Sequence, residues 1–405
     1  MEPRFLLMYC PQVFDKAFGS MKPEGSLGLI YLASALRDKK FDVHLLDATV
    51  GSDKYTLNET FYNEVEQENG MIRIGMSIQS ILKEVKKHDV VGITSIFTAQ
   101  TRMVESVVEN IKKHYPEKLI ILGGVNARAQ KERFFNIGAD LICLSEAENT
   151  IIEIGNVLRK GGRDFSGISG LAGREGFINP QINVLQDLNE LPIPAWDMLP
   201  LEKYWEISRP HGGGFEDRKV AYASAMFSRG CPFKCDYCHI SKELSGSNSG
   251  NLRSLRVKSQ ERIMKEMKIL LKLGVEYVFI EDDSLLAKKT RAIKIFNQLR
   301  EMNLELADVN GINLTHLCTK IDGKLGVDEE LLETMSAAGF KKLSFPVESG
   351  SQRIIDKYAS GKLDLEKHDI IAMIKKAKKQ EALNEVKHIY FFRKILLCFL
   401  FPWFS

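Results

Sequence analysis

The sequence has little net charge, few cysteines and no secretory leader, and each absence excludes a class of protein. Its 56 Lys and Arg residues nearly balance its 53 Asp and Glu residues, which gives a formal net charge of +3. That charge is too small to predict a nucleic-acid partner or binding to an anionic membrane. Seven cysteines in 405 residues are too few for a disulfide framework and indicate a reducing compartment.

The N-terminus lacks the basic segment and the long apolar run that mark a secretory signal. We therefore expect a cytoplasmic protein. The apolar stretch 395–404 has ten residues, whereas a membrane-spanning helix needs about 20, so no membrane span is expected. A hydrophobic fraction of 44% and a charged fraction of 27% are typical of a soluble globular protein. The length predicts two or three domains.

Residues 1–160 alternate short apolar runs with amphipathic stretches. This alternation predicts an α/β fold with a parallel, doubly wound, Rossmann-like sheet. The predicted strands are 5–9, 43–46, 90–95, 119–122 and 141–144, and the predicted helices are 27–36, 101–114 and 150–159.

Small and polar residues follow three successive strands of this predicted sheet. Thr94 and Ser95 come at the first strand end, Gly123 and Gly124 at the second, and Glu146 at the third. Each group by itself could be an ordinary turn or helix cap. Because ligands of doubly wound sheets bind outside the carboxyl ends of the strands, the three loops together predict a binding rim.

Residues 161–219 are expected to be a linker between two domains. Residues 170–172 and 182–184 could pair as a small hairpin, and alternating prolines in 191–197 predict an extended, stiff segment. Three glycines at 212–214 add a flexible point.

Three of the seven cysteines fall within eight residues. Cys231, Cys235 and Cys238 are separated by three and then by two residues. An apolar run at 221–227 predicts a buried strand that leads into them, and a glycine and a proline then break the strand into a loop. Three thiolates on one short loop can converge on one metal centre and leave its fourth position open.

Two other interpretations of these cysteines remain open. Buried free cysteines are common, although they rarely cluster so tightly on a loop. A structural zinc site could add His239, but the adjacent Cys238 and His239 are poorly placed to bind one ion, and zinc sites usually assemble from two separated ligand pairs. The spacing favours an iron–sulfur cluster over zinc.

This cysteine spacing, with the aromatic Tyr237 just before the last cysteine, resembles the radical S-adenosylmethionine (SAM) superfamily. The residues 228–235, Ser-Arg-Gly-Cys-Pro-Phe-Lys-Cys, resemble the members that carry an N-terminal cobalamin-binding domain. The resemblance implies that the three cysteines hold a [4Fe–4S] cluster whose open iron is chelated by SAM. It also implies that Tyr237 packs near the adenine of SAM.

The resemblance to the cobalamin-binding domain extends over nearly all of residues 1–160. It implies that cobalamin contacts the rim residues Thr94, Ser95, Gly123, Gly124 and Glu146, and it includes the segment 23–29 near the N-terminus.

A histidine motif of related cobalamin domains is only partly present. Methionine-synthase-type domains carry Asp-x-His-x-x-Gly, whose histidine ligates cobalt, whereas here Asp42 and His44 are followed by Asp47 in place of glycine. Because His44 lies inside a predicted strand, we interpret it as structural. The resemblance then implies cobalamin bound without a protein histidine on its lower face.

Residues 220–380 resume the strand–helix alternation, and the resemblance implies a partial (β/α) radical SAM barrel. Acidic residues follow two of its strands, at the face where barrel enzymes place catalytic groups, although a charge run is usually a solvated loop. The resemblance implies that Glu281 and Asp282 contact the SAM amino group and that Glu348 and Ser349 lie beside SAM. The predicted strands are 275–280, 306–311 and 342–347, and the predicted helices are 259–273, 290–301, 328–338 and 365–379.

The family pattern stops after the last of these helices. Residues 381–405 form an apolar, Phe-rich tail that does not resemble the next strand of the family. We expect a shortened or frameshifted reading frame that leaves about four of the six barrel strands.

The resemblance implies a cobalamin-dependent radical SAM enzyme. Such an enzyme cleaves SAM reductively at its cluster to start radical chemistry, most often methyl transfer to an unactivated carbon. It needs a flavodoxin- or ferredoxin-type reductant and a small-molecule or natural-product substrate. Two alternatives stay open: cyclisation or oxidation by the same machinery, and a non-catalytic remnant that binds cobalamin or SAM.

Overall fold

The computed structural model describes residues 2–18, 25–68, 70–208, 210 and 218–379. The chain divides into two units, and each is described by itself. Unit 1 consists of Met1–Leu185, Glu190–Lys219 and Ser245–Asn251, and unit 2 consists of Gln186–Asn189, Val220–Leu244 and Leu252–Ser405.

Unit 1 contains helices and strands that mostly alternate, as the sequence pattern predicted. Its elements in chain order are β1 (Arg4–Tyr9), β2 (Gln12–Asp15), α1 (Leu27–Asp38), β3 (Asp42–Asp47), β4 (Val65–Glu66), β5 (Met71–Ile74), α2 (Ile78–Val85), β6 (Val90–Thr94), α3 (Thr101–His114), β7 (Leu119–Gly123), α4 (Val125–Ala129), α5 (Lys131–Asn136), β8 (Leu141–Cys143), α6 (Glu148–Arg159), β9 (Leu171–Gly173), β10 (Ile178–Asn179) and α7 (Leu201–Ile207).

The main sheet of unit 1 has seven strands in the order β10-β9-β8-β7-β6-β1-β3. Strands β3, β1, β6, β7 and β8 are parallel, and β9 and β10 add an antiparallel edge. The predicted doubly wound sheet is confirmed. Strand order reverses between β1 and β6, so the ligand-binding crevice of this topology lies at the carboxyl ends of those two strands.

The branched apolar strands of this sheet form its core because both faces are covered. Strand β6 is buried throughout, and Val104, Val107 and Ile111 on the inner face of α3 pack in the same cluster. Gly92 in β6 leaves room for its neighbour, since an added Cβ would lie 2.7 Å from a methyl group of Leu7. A second, antiparallel sheet, β2-β5-β4, was not predicted because its strands are only two to four residues long.

The structure differs from the expected linker at 161–219, because most of this segment is packed into unit 1. Strand β9 pairs with β8 and extends the main sheet, and its hairpin partner is β10 at Ile178–Asn179, not residues 182–184. Helix α7 buries Tyr204 completely. Most of this segment therefore belongs to unit 1. The glycines 212–214 lie outside the described residues.

Two side chains at α7 attach it to the loop after β3. The Tyr204 hydroxyl donates to Asp47 Oδ2 at 2.8 Å. The Lys203 ammonium group donates to four backbone carbonyls at 2.7–3.2 Å, those of Val50, Gly51, Ser52 and Tyr55. These contacts join residues about 150 positions apart, which local sequence patterns cannot predict.

Unit 2 repeats a strand followed by a helix. Its elements in chain order are β11 (Tyr222–Ala225), β12 (Ser228–Arg229), β13 (Arg256–Val257), α8 (Gln260–Lys272), β14 (Tyr277–Ile280), α9 (Lys289–Leu299), β15 (Glu305–Asp308), β16 (Cys318–Ile321), β17 (Lys324–Val327), α10 (Glu329–Ala337), β18 (Phe340–Lys342), α11 (Gln352–Tyr358) and α12 (Ile370–Lys379).

The main sheet of unit 2 is parallel, with the order β11-β14-β15-β18. Four strands within the described residues agree with the predicted partial barrel. Strand β18 ends earlier than the predicted strand 342–347, the last helix begins at Ile370 rather than at 365, and α11 was not predicted. The predicted apolar tail at 381–405 lies outside the described residues. Among the described helices, none has both the length and the apolarity needed to cross a bilayer.

We predict that Tyr204→Phe destabilises unit 1. The variant removes a hydrogen bond to the buried Asp47, and loss of such a bond costs about 1–3 kcal/mol in the free energy of unfolding. Urea unfolding, followed by tryptophan fluorescence, measures the change; one of the three tryptophans is Trp196, which is 1% exposed. Tyr62→Phe is the matched control because Tyr62 is 48% exposed. Equal stability of the two variants would contradict the prediction.

Candidate functional site

The cysteine loop begins where strand β11 ends. The short strand β12 pairs with β13 in an antiparallel ribbon, and the Cys231 amide donates to the Arg253 carbonyl at 3.2 Å. Gly230 has a φ of 91°, and an added Cβ would overlap the Ser254 carbonyl. Only glycine therefore fits at the position just before the first cysteine.

The three cysteines are buried to different degrees. Cys235 is 6% exposed, and Cys231 and Cys238 are half-buried. Burial raises the pKa of the Cys231 and Cys238 thiols. Backbone N–H groups act in the opposite direction: that of Phe233 bonds Cys231, and those of Ile240 and Ser241 bond Cys238.

This environment fits an iron–sulfur cluster. Iron replaces the thiol protons, so it relieves the cost of a buried thiolate, and hydrogen bonds to the sulfurs are a known means of tuning such clusters. The same loop does not form a compact site for one ion. Within the part of the chain that the structure describes, no three His, Cys, Asp or Glu side chains group as ligands of a single metal ion.

The zinc alternative depends on His239 as a fourth ligand. His239 Nδ1 lies 2.7 Å from Glu243 Oε1, so only the Nε2 atom of this ring remains for a metal. A zinc ion needs four ligands at about 2.0–2.3 Å, whereas each thiolate of a cluster binds a different iron. The donor set therefore favours the cluster.

Asp282 holds the backbone that enters the loop. Its carboxylate is completely buried. One oxygen accepts the Phe227 amide at 2.6 Å and the other accepts the Ser228 hydroxyl at 2.5 Å. Burial raises the pKa of Asp282 to about 6, and these hydrogen bonds oppose the shift. Asp282 therefore positions the chain that enters the loop, and its expected contact with SAM stays a prediction.

Glu281 is the neighbouring acid that remains partly exposed. Its amide donates to the Ala225 carbonyl at 2.9 Å, which fixes the residue at the strand end. Burial raises the pKa of Glu281 to about 7, and a hydrogen bond with Ser224 opposes the shift. Its contact with SAM stays a prediction.

Tyr237 and Glu348 come together although they lie far apart in sequence. Burial raises the pKa of the Tyr237 phenol, and its hydrogen bond with the Glu348 carboxylate raises it further. Glu348 also pairs with Lys362. The Tyr237 side chain remains 53% exposed, so it is accessible. Ser349 lies in the same loop and accepts the Ser351 amide at 3.1 Å.

The predicted rim of unit 1 lies at the carboxyl ends of β6, β7 and β8. Thr94 is 8% exposed and Ser95 is completely buried. The Ser95 hydroxyl accepts the Asn126 amide group at 2.8 Å. Ser95 therefore supports the rim from inside, and its expected contact with cobalamin stays a prediction.

Two glycines keep this rim open. Gly124 has a φ of 100°, and an added Cβ would overlap the Ser95 carbonyl. An added Cβ at Gly123 would meet nothing closer than Cys143 Cβ at 3.9 Å. Glu146, at the third strand end, is half-buried. A ligand can approach the backbone at Gly123.

The sequence pattern did not predict the side chains at the switch point, where strand order reverses between β1 and β6. Gln100 Oε1 accepts the amides of Ile96 and Phe97 at 2.7 and 3.0 Å, and Gln100 Nε2 donates to the Tyr9 hydroxyl at 2.6 Å. Phe97 is 54% exposed. Ile96 and Phe97 form an apolar pair in the loop directly after the buried strand β6. This pair was the signal in the sequence that could have pointed to the switch point.

His44 lies inside β3, opposite Leu6 of β1, as predicted. Its Nδ1 is 2.9 Å from His88 Nε2. Because β3 ends at Asp47, the ring lies away from the carboxyl-end rim. The segment 23–29 is described only from residue 25 onward, so its first two residues lie outside the described part.

Two protein-family models match this chain, one in its N-terminal part and one in its C-terminal part. The model of the B12 binding domain matches residues 23–155, and the model of the radical SAM superfamily matches residues 226–391. The chain combines a B12-binding domain with a radical SAM domain.

Two curated relatives are methyltransferases by name. The cytidylyl-2-hydroxyethylphosphonate methyltransferase of Streptomyces wedmorensis is 26% identical over 371 residues, which cover 84% of this chain and 64% of the relative. An uncharacterised methyltransferase of Pyrococcus horikoshii is 26% identical over 360 residues, which cover 86% of this chain and 66% of the relative. The chain therefore spans slightly under two thirds of the length of these relatives.

A solved structure shares the fold of this B12-binding radical SAM chain. It is the radical SAM methyltransferase TsrM from Kitasatospora setae with cobalamin and a [4Fe–4S] cluster bound. It matches with a TM-score of 0.63 at 14% identity, over 94% of this chain and 67% of TsrM.

We predict that Cys235→Ala abolishes cluster binding. Loss of one of three thiolates leaves two irons without protein ligands, so iron and sulfide should fall to background after anaerobic reconstitution. Cys318→Ala is the matched control because Cys318 lies outside the loop and its thiol donates to the Leu314 carbonyl at 3.5 Å. Full iron content in Cys235→Ala would contradict the ligand assignment.

Proposed function

We propose that the protein is a cobalamin-dependent radical SAM methyltransferase that methylates an unactivated carbon. The main support is the presence in one chain of a B12-binding domain and a three-cysteine loop inside a radical SAM domain. The names of the two relatives, both methyltransferases, favour methyl transfer over cyclisation or oxidation.

In this proposal Cys231, Cys235 and Cys238 hold three irons of a [4Fe–4S] cluster, and the fourth iron is free for SAM. When bound, the reduced cluster supplies the electron that cleaves SAM, and cobalamin supplies the methyl group. The loop contributes three thiolates, backbone N–H groups aimed at two of them, and a partly dry environment.

Four side chains of unit 2 are proposed to orient SAM. Glu281 offers a carboxylate at the end of β14 for the SAM amino group. Tyr237 offers an accessible ring beside the cysteines for the adenine, and its bond to Glu348 fixes its orientation. Glu348 and Ser349 supply oxygen atoms that can bind the ribose hydroxyls.

Cobalamin is proposed to bind at the switch point of unit 1. Gly123 and Gly124 permit close approach of the backbone, Glu146 offers a polar contact, and Phe97 presents an exposed apolar ring. Thr94 and Ser95 hold this rim in place. His44 lies too far down its strand to serve as the lower ligand, so we propose cobalamin binding without it.

The partners follow from the chemistry. Reduction of the cluster requires a one-electron donor, and we propose a flavodoxin- or ferredoxin-type protein. The substrate is proposed to be a small molecule or natural product. An oxygen-sensitive cluster also suits the cytoplasm.

We predict that the anaerobically reconstituted protein cleaves SAM in a reductant-dependent manner. The protein is incubated with dithionite, hydroxocobalamin and SAM that carries a deuterated methyl group. We expect 5′-deoxyadenosine from SAM cleavage, and S-adenosylhomocysteine together with deuterated methylcobalamin from methylation of the cofactor. Mass spectrometry measures all three products.

Cys235→Ala is the control for this experiment. It should lose 5′-deoxyadenosine formation and still bind cobalamin, because unit 1 is unchanged. Cobalamin binding without SAM cleavage in the wild-type protein would contradict the enzyme and support the non-catalytic alternative. SAM cleavage without deuterium transfer to cobalamin would contradict methyl transfer and favour other radical chemistry.

A further inference from the structure

Asp283 is the third acid of the run after β14, and it contacts the start of the cysteine loop. Its Oδ2 accepts the Gly230 amide at 2.9 Å. Gly230 immediately precedes Cys231 and has a positive φ. This hydrogen bond therefore holds the glycine whose positive-φ backbone conformation directs the first cysteine.

The neighbouring acid has a related but distinct role. Asp282 accepts hydrogen bonds from the Phe227 amide and the Ser228 hydroxyl, so the two acids together bond two backbone amides and one hydroxyl between residues 227 and 230. The two carboxylates differ in environment. Asp282 is completely buried, whereas Asp283 is exposed and its charge acts on the cysteines.

The charge of Asp283 lies beside the first cysteine, because the carboxylate bonds the amide of the adjacent Gly230. A negative charge this close to a bound cluster disfavours the extra electron that reduces it. The charge lies in unit 2 with the loop, so the effect does not depend on the other unit.

We infer that Asp283 is a positioning residue that fixes the entry to the cysteine loop and lowers the midpoint potential of the cluster held there. This inference rests on the proposed cluster. A lower potential makes the cluster harder to reduce, so it raises the demand on the electron donor. SAM binding and the reductant then have to overcome this lower midpoint potential before SAM is cleaved.

The charge is tested with Asp283→Asn. The asparagine Oδ1 can still accept the Gly230 amide, so the variant removes the charge and keeps the hydrogen bond. In an anaerobic redox titration of the reconstituted full chain, followed by the EPR signal of the reduced cluster, we expect the midpoint potential to rise. A tenfold change in the reduction equilibrium corresponds to about 59 mV for a one-electron couple, and we expect a shift of roughly this size.

Glu333→Gln is the matched control. Glu333 is an exposed carboxylate of α10, so its loss changes the net charge equally and should leave the midpoint potential unchanged. Equal potentials of Asp283→Asn and the wild-type protein, with full cluster content in both, would overturn the electrostatic role. An equal rise of the midpoint potential in Asp283→Asn and Glu333→Gln would also overturn the electrostatic role, because any loss of one negative charge would then have the same effect.

The positioning role is tested with Asp283→Ala, which removes the hydrogen-bond acceptor as well as the charge. We expect faster loss of iron to a chelator than in Asp283→Asn, because Gly230 is no longer held. Equal rates in the two variants would overturn the positioning role. If the wild-type protein itself held no cluster, both the proposed function and this inference would fail, whereas an unshifted potential with an intact cluster would overturn only the inference.

Discussion

The interaction between Asp282 and the backbone at residues 227–228 is the constraint on which the candidate centre depends. A carboxylate with no exposure accepts one amide and one hydroxyl, and it joins the end of β14 to the chain leaving β11. Burying a carboxylate is costly unless it is hydrogen-bonded, so this pair of contacts is strongly specified. It determines where the cysteine loop begins.

The rest of the loop follows from that starting point. Gly230 supplies a backbone conformation that other residues adopt only under strain, and the ribbon of β12 and β13 closes the loop on its other side. Within this frame burial raises the pKa of the Cys231 and Cys238 thiols, so free thiolates are disfavoured at these two positions. A positively charged metal centre removes that penalty, which is why the site favours a cluster over empty thiols.

Periodicity predicted the repeating elements well. Helix α3 was predicted with the same limits, and the five parallel strands of unit 1 were each placed within one residue at either end. These elements are long, or uniformly apolar, so local pattern determines them. The short strands β2, β4 and β5 carry too few residues to show a period, and α11 is a seven-residue helix that begins after a loop of small polar residues.

Long-range contacts could not be predicted from the sequence. The hydrogen bond between Tyr204 and Asp47 attaches helix α7, which lies in the predicted linker, to the rest of unit 1. Asp282 and Ser95 are buried, and their hydrogen-bond partners show structural roles that the residue types did not suggest. Their expected contacts with SAM and with cobalamin stay predictions. The contact between Tyr237 and Glu348, which lie on separate loops, was not predicted; the family resemblance implied only that each lies near SAM.

In the proposed site, the cysteine loop holds a [4Fe–4S] cluster with one iron open to SAM. The most direct measurement is pulsed EPR of the reduced, reconstituted protein with SAM labelled with ¹⁵N at its amino group. We expect a change in the cluster signal on addition of SAM and a hyperfine coupling to the ¹⁵N nucleus. A cluster signal that is the same with and without SAM, and that shows no such coupling, would contradict it.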